Sequence, residues 1–287
     1  MTPFTYTRPA TLAEATALLL RHAGAACALA GGTDLIVQMQ AGRKQPQVVV
    51  DIKNIPELGC GITAGNGLLR IGALATLAEI AAAAPVRRGY AALAEAAAAV
   101  GSVQIRQRAT LAGNICNASP AADTAPALLV HAAQVRIAGP RGRRVIALSA
   151  FFRGPGSTAL QPGELVEALE LPITGDQCGS AFQRLARRRG VDLASVSVAC
   201  RLTATGLARV AFGAVGPTPL LAEDASGVLT DRRAPSKAVD EALARLAGIA
   251  RPITDLRAGA GYRRAMILVL CRRAHAAALE RLWNPSS

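Results

Sequence analysis

The stretch Cys27-Ala28-Leu29-Ala30-Gly31-Gly32-Thr33-Asp34-Leu35 decides how this chain reads. An extended apolar run over residues 27–30 ends on two glycines, and a second apolar stretch begins after Asp34. Glycine permits positive φ and close approach of the backbone to a ligand. Successive N–H groups in such a loop can form a concave nest for an anion, and Thr33 adds a hydroxyl donor. By itself, Gly-Gly after a strand is an ordinary turn. The spacing is also not G-x-G-x-x-G, so a Rossmann site is not supported.

The same chemistry recurs in Ala109-Thr110-Leu111-Ala112-Gly113-Asn114. Two such loops could grip one diphosphate from both sides, since its oxygens are pure acceptors and Thr33, Thr110 and Asn114 are side-chain donors. Ala118-Ser119-Pro120-Ala121-Ala122-Asp123 follows. Ser119 is placed to cap a helix that Pro120 starts. Asp123 falls in its first turn, where a carboxylate suits the helix dipole. The alternative role for Asp123 is to accept a hydrogen bond from a ribityl or ribose hydroxyl.

Outward from these loops, the first half alternates helical and extended signals. Thr11-Leu12-Ala13-Glu14 and Thr76-Leu77-Ala78-Glu79 are capping boxes, each opening a helix. Residues 47–52 and 68–72 read as strands. Pro85 can start a helix that the alanine-rich stretch continues to Val100. Residues 101–120 read as a dense loop. Residues 121–132 read as helix if Pro126 lies in the first turn. Strands at 135–138 and 144–148 flank the turn Gly139-Pro140-Arg141-Gly142.

Pro, Gly and Asp cluster over residues 172–179, a plausible boundary. Beyond it come strands at 180–185, 195–202 and 207–212, with a hairpin at Thr205-Gly206. Residues 220–233 read as a surface loop, and helices follow at 236–247 and 261–282. Strands followed by helices make this part α+β.

Composition narrows the function. The 287 residues suit two or three domains, and 51% are apolar, enough for a sizeable core. Net charge is +13, from 32 Lys+Arg against 19 Asp+Glu. Such a field favours acidic partners or anionic ligands. Nucleic acid is disfavoured: aromatics are 3%, too few for stacking platforms, and no recognition-helix or zinc-finger pattern occurs. The six cysteines include no C-x-x-C pair, which argues against iron–sulfur and structural zinc sites. His22, His131 and His275 lack metal spacing. The N-terminus lacks a signal-peptide pattern, and no run of about 18 apolar residues is long enough to span a membrane. A cytoplasmic protein is expected, with no metal site and no catalytic nucleophile or base of its own.

The order of motifs carries a resemblance. Ala30-Gly31-Gly32-Thr33-Asp34-Leu35 is followed by Gln104-Ile105-Arg106, Ala109-Thr110-Leu111-Ala112-Gly113-Asn114-Ile115 and Ala118-Ser119-Pro120-Ala121-Ala122-Asp123-Thr124. Phe152-Arg153-Gly154-Pro155-Gly156, Gly163-Glu164-Leu165-Val166, the run from Ala186-Arg187-Arg188-Arg189 to Ala194, Gly213-Ala214-Val215-Gly216-Pro217 and Asp255-Leu256-Arg257-Ala258 come next. In this order they resemble the FAD-binding medium subunit of the molybdenum hydroxylase family. That family includes the carbon monoxide dehydrogenase flavoprotein and the flavin domain of xanthine dehydrogenase.

The resemblance implies an α+β chain. An FAD-binding α/β region, residues 1–175, has subdomains at about 1–55 and 56–175. A C-terminal domain, 176–287, holds a small antiparallel sheet plus helices. The resemblance implies that Ala28, Leu29, Ala30, Gly31, Gly32, Thr33, Asp34 and Leu35 hold the FAD diphosphate together with Thr110, Leu111, Ala112, Gly113 and Asn114. It places Val100, Gly101, Asp123, Val166 and Gln183 beside the cofactor. Relatives carry paired glycines where this chain has Ala112-Gly113, and lysine where it has Gln183. Arg184, Arg187, Arg188 and Arg189 form a charge cluster, with Asp192 as a local partner. They are read as a solvated face, or as groups near FAD or at an acidic partner surface.

The function implied is electron relay. The expected partners are an iron–sulfur small subunit and a molybdopterin large subunit, with NAD, a quinone or oxygen as external acceptor. Two rival readings are a self-sufficient FAD-dependent oxidase and a basic, non-enzymatic binding protein.

Overall fold

The computed structural model describes residues 1–173, 177–188 and 190–284. Arg189 and the 175/176 division expected between domains lie outside the described residues.

Three sheets of three or more strands organise the described residues. The first is parallel, formed by β1 (Thr5–Thr7), β2 (Ala26–Leu29) and β3 (Val48–Asp51) in the order β1-β3-β2. The central strand, β3, is buried at every position, which fits its run of three valines. Helices α1 (Leu12–Arg21) and α2 (Leu35–Gln40) join these strands. Thr11 caps α1 through its hydroxyl, but Glu14 reaches back to the Ala10 N–H rather than to Thr11, so this box is half made.

The second sheet is antiparallel. It is built from β4 (Ile62–Gly65), β5 (Leu68–Gly72), β6 (Gln134–Gly139), β7 (Gly142–Ala147) and, after the short pair β8 (Phe152–Gly154) and β9 (Ser157–Thr158), β10 (Leu165–Pro172). Its order is β4-β5-β10-β6-β7. Strands β4 and β5 form a hairpin on Asn66-Gly67, both at positive φ, a turn that sequence reading passed over. Six helices lie between β5 and β6: α3 (Leu77–Ala82), α4 (Ala84–Gly89), α5 (Ala91–Ala99), α6 (Val103–Arg106), α7 (Leu111–Cys116) and α8 (Thr124–Val130). The single helix expected over 85–100 is therefore two, broken at Tyr90, whose backbone leaves the helical region. The expected loop over 101–120 contains α6 and α7.

At α3 the capping box is complete. Thr76 Oγ accepts the Glu79 N–H at 3.2 Å, and Glu79 accepts the Thr76 N–H at 2.8 Å. Thr76→Ala should cost about 1 kcal/mol, a fall of about 2–4 °C in Tm. An unchanged melting curve would mean that burial of Leu77 and Ile80 holds α3 without its cap.

The third sheet is antiparallel: β11 (Cys178–Leu185), β12 (Val196–Thr203), β13 (Ala208–Gly213) and β14 (Leu220–Asp224), in chain order. The residues 220–233 expected as loop thus begin with a strand. Helices α9 (Ser236–Ala247) and α10 (Ala260–Trp283) follow, and α10 packs along β11 and β12. One hydrophobic cluster joins the first two sheets and their helices, and a second joins the third sheet to α9 and α10. The β11 edge is covered by α5. Ser180 Oγ accepts the Ala92 N–H at 3.1 Å, and Glu95 accepts the Phe182 N–H at 2.7 Å. Edge groups that would otherwise seek another strand are satisfied there.

Candidate functional site

The first glycine loop leaves β2 and enters α2. Gly32 has φ +77°, a conformation that costs most residues strain. Gly31 meets a different demand. A Cβ at Gly31 would lie 1.9 Å from the Arg108 carbonyl oxygen and 3.1 Å from Ala109 Cα. The missing side chain therefore lets the first loop press against the backbone that leads into the second. Ala28 and Leu29 are half-buried in β2, Ala30, Thr33 and Leu35 are half-buried beyond it, and Asp34 is exposed and makes no cap bond.

The second loop is the first turn of α7. Thr110 is its N-cap, and its Oγ accepts the Gly113 N–H at 3.0 Å. The Leu111 N–H goes to the Ala75 carbonyl. Among the described residues, the Ala112 N–H is the donor of this turn with no protein acceptor. Ala112 is buried inside the helix, where alanine is unstrained. Asn114 Oδ1 accepts the Thr124 hydroxyl at 2.6 Å, leaving the amide NH2 as its donor. Gln38 on α2 donates to Asn117 after α7 at 3.0 Å, a second tie between the loops.

A cleft of about 390 Å³ opens where the loops meet. Ala30, Gly31, Thr76 and Thr110 line it, and so do Lys53, Asn54, Gln107 and Arg108, which sequence reading missed. Their signal lay in topology. β2 and β3 are parallel, and ligands of such sheets bind beyond the carboxyl ends of the strands. Lys53 follows β3 directly. Its Nζ is 2.6 Å from Asp51, which also accepts the Tyr6 hydroxyl. Against the cost of burial, the hydrogen bonds from Lys53 and Tyr6 hold the Asp51 carboxyl below its usual range.

The remaining candidates gather around Arg184, except Val166. Asp123 opens α8 without capping it; its backbone is helical and its Oδ2 accepts Arg184 Nη1 at 2.6 Å. α8 starts at Thr124 rather than Pro120, with Pro126 in its first turn, and Ser119 instead accepts the Ala121 N–H at 3.3 Å. Arg184 also donates to the carbonyls of Ala99 and Asp192. It thereby brings Val100, Asp123 and Gln183 close together, with Gly101 next in chain at φ +56°. Among the described residues, buried Asp123 Oδ1 has no partner. Burial pushes the Asp123 carboxyl up to about 6, against the opposing pull of Arg184. Val166 sits in β10, packed in the core beside a β-bulge, with no polar link to this group.

A larger cleft, about 450 Å³, lies between the β6–β7 hairpin and residues 161–164. It contains none of these groups, and its Arg143 and Arg144 already pair with Glu167 and Glu164. The glycine loops are therefore the candidate site. The residues there suit a diphosphate-containing cofactor: a cradle that a Cβ would fill, the Arg108 guanidinium, Lys53 shared with Asp51, and threonine hydroxyls. Among the described residues no cluster of His, Cys, Asp or Glu is placed to hold a metal, and no helix is long and apolar enough to cross a membrane.

Residues 2–174 match the family described as the FAD binding domain in molybdopterin dehydrogenase, and residues 180–278 match the CO dehydrogenase flavoprotein C-terminal domain. The chain belongs to the FAD-binding subunits of the molybdopterin dehydrogenases. Among these subunits it is 33% identical to the carbon monoxide dehydrogenase medium chain of Afipia carboxidovorans over 285 residues, 98% of each protein. It is 37% identical to the xanthine dehydrogenase FAD-binding subunit of Escherichia coli O157:H7 over 226 residues, 77% of each. A crystal structure of the Cu,Mo-CO dehydrogenase superposes with a TM-score of 0.91 at 32% identity, covering 98% of this chain and 100% of that one. Like these flavoprotein subunits, the chain binds FAD and serves an oxidoreductase.

Proposed function

We propose that the chain is the electron-relay subunit of a molybdenum hydroxylase complex. It takes electrons from an iron–sulfur subunit and passes them to an external acceptor such as NAD, a quinone or oxygen; substrate is oxidised on a separate molybdopterin subunit. The carrying observation is the contact of the two glycine loops at Gly31 and Arg108, which shapes a basic cleft at the ends of two parallel strands. Bound FAD supplies the exchange of one or two electrons. The protein supplies position and electrostatics. Arg108, the Ala112 N–H and the N–H groups of the first loop would face the diphosphate, with Lys53 shared between it and Asp51. Asp123 Oδ1 accepts a cofactor hydroxyl, with Arg184 fixing the carboxylate. Residues 1–175 carry the cleft and 176–287 carry Gln183 and Arg184. The six unpaired cysteines suit a reducing cytoplasm.

The spectrum of the purified chain tests this reading. It should be yellow and inert toward substrate alone, and should bleach under substrate once the other subunits are added. A self-sufficient oxidase would bleach unaided, and a scaffold would be colourless.

The Asp123 assignment has a pH signature. A hydroxyl donated to Oδ1 favours the carboxylate, so the pKa falls on binding and a proton leaves. FAD affinity should rise as pH climbs toward about 6 and level off above it. Between pH 5 and 7 the gain should be roughly tenfold, measured by fluorescence titration. Asp123→Asn should flatten the profile. A wild-type profile that is already flat would remove Asp123 from the site.

A further inference from the structure

The motif Asp255-Leu256-Arg257-Ala258 has no part in the cofactor cleft, and its structure is unusual. Leu256 is 99% exposed. The turn that carries it is nevertheless pinned. Asp255 Oδ1 accepts the N–H groups of Arg257 and Ala258 at 2.8 and 3.3 Å, and the Asp255 N–H returns to the Ala258 carbonyl. The guanidinium of Arg263, 2% exposed, then ties Asp255 to the carbonyls of Ser195 and Ala214.

Leu256 has exposed company. Ile253 and Tyr262 flank it in sequence at 68% and 54% exposure, and Val191 and Leu193, close to Ser195, are at 53% and 46%. The Arg263 bonds bring both segments to one end of the third sheet, where β12 begins and β13 ends. Soluble surfaces seldom gather large apolar side chains without a partner.

Charge indicates the chemistry of that partner. The acids here turn inward: the Asp192 side chain is 5% exposed and Asp255 28%. The arginines turn outward, with Arg187 at 53%, Arg188 at 70% and Arg257 at 37%. An apolar knob in a basic rim matches an apolar pocket in an acidic rim. Arg184 also ties this end of the sheet to Asp123, through the Asp192 carbonyl.

We propose that Leu256, on its braced turn, is the anchor by which this chain docks an acidic-rimmed subunit of its own complex. This rests on the reading of the chain as a subunit, and the experiment separates the two. The tagged full-length chain is expressed in its native host, and iron, molybdenum and flavin are counted per chain after purification. Wild type should carry all three. Leu256→Asp and Ile253→Asp should keep flavin and Tm, because both side chains stand in solvent, and should lose about tenfold or more of both metals, as anchors at interface centres do. Val145→Asp, an exposed position on edge strand β7, should lose neither. Variants that keep both metals overturn this proposal alone. So does a result in which they separate a homodimer with metals intact, since the occupant is then a second copy. A wild type free of both metals sinks the subunit reading and the docking proposal together.

Discussion

Gly31→Ala should leave the chain folded but purify it largely without flavin. The added Cβ would stand 1.9 Å from the Arg108 carbonyl oxygen, where side chains keep at least 3.0 Å, so the loops must part by about 1.1 Å. The obstacle is backbone, which cannot swing aside as a side-chain tip would. Each N–H contact to a charged acceptor contributes roughly 1.5–3 kcal/mol. Losing two weakens binding about a hundredfold or more, since 1.4 kcal/mol is tenfold. Gly154→Ala, where a Cβ meets nothing within 4 Å, is the control. The measurements are flavin per chain and the FAD dissociation constant. If Gly31→Ala binds FAD as tightly as wild type, the contact of the two loops does not shape the cofactor site.

The second large effect is on stability. Arg263→Leu removes the guanidinium that serves Ser195, Ala214 and Asp255. The loss leaves the Ser195 and Ala214 carbonyls without this donor, at about 1–3 kcal/mol each, while Asp255 keeps the Arg257 and Ala258 N–H groups and the Arg257 guanidinium. For a protein of this size that is a fall of about 10 °C in Tm. Arg263→Lys should recover little, because a single ammonium cannot reproduce the planar fork. A drop smaller than about 2 °C in Arg263→Leu would show that these acceptors find other donors and that the turn bearing Leu256 is not braced by Arg263.

What the sequence disclosed follows from the range of the forces involved. The α9 boundaries, residues 236–247, and the cap hydroxyls of Thr11 and Thr76 were legible because a cap or an amphipathic face is decided within a few residues. The short helices α6 and α7 show too few turns for a period and sit among Gly, Asn and Ser. Strand β10 was not read as a strand at all. Leu165-Val166-Glu167-Ala168-Leu169-Glu170-Leu171 has helix-forming residues and two glutamates, yet it is the buried centre of the second sheet. Those carboxylates are tolerated because Arg70, Arg136 and Arg143 reach Glu167, and Arg136 reaches Glu170. Such partners come from distant strands, so local propensity does not reveal them. The site divides in the same way. The glycines announced themselves, whereas Lys53 and Arg108 entered only when strand ends and loops met in space.

Arg184 links Asp123 to the third sheet, and Gln38 links the first glycine loop to the second. The groups assigned to one cofactor thus come from all three sheets, and the ties between them cross every boundary. Recombination that exchanged one sheet for a relative's would have to bring matching partners for Asp123 and Gly31, or give up the cofactor. On the proposed site, losing either tie separates groups that serve one cofactor, although the architecture looks modular.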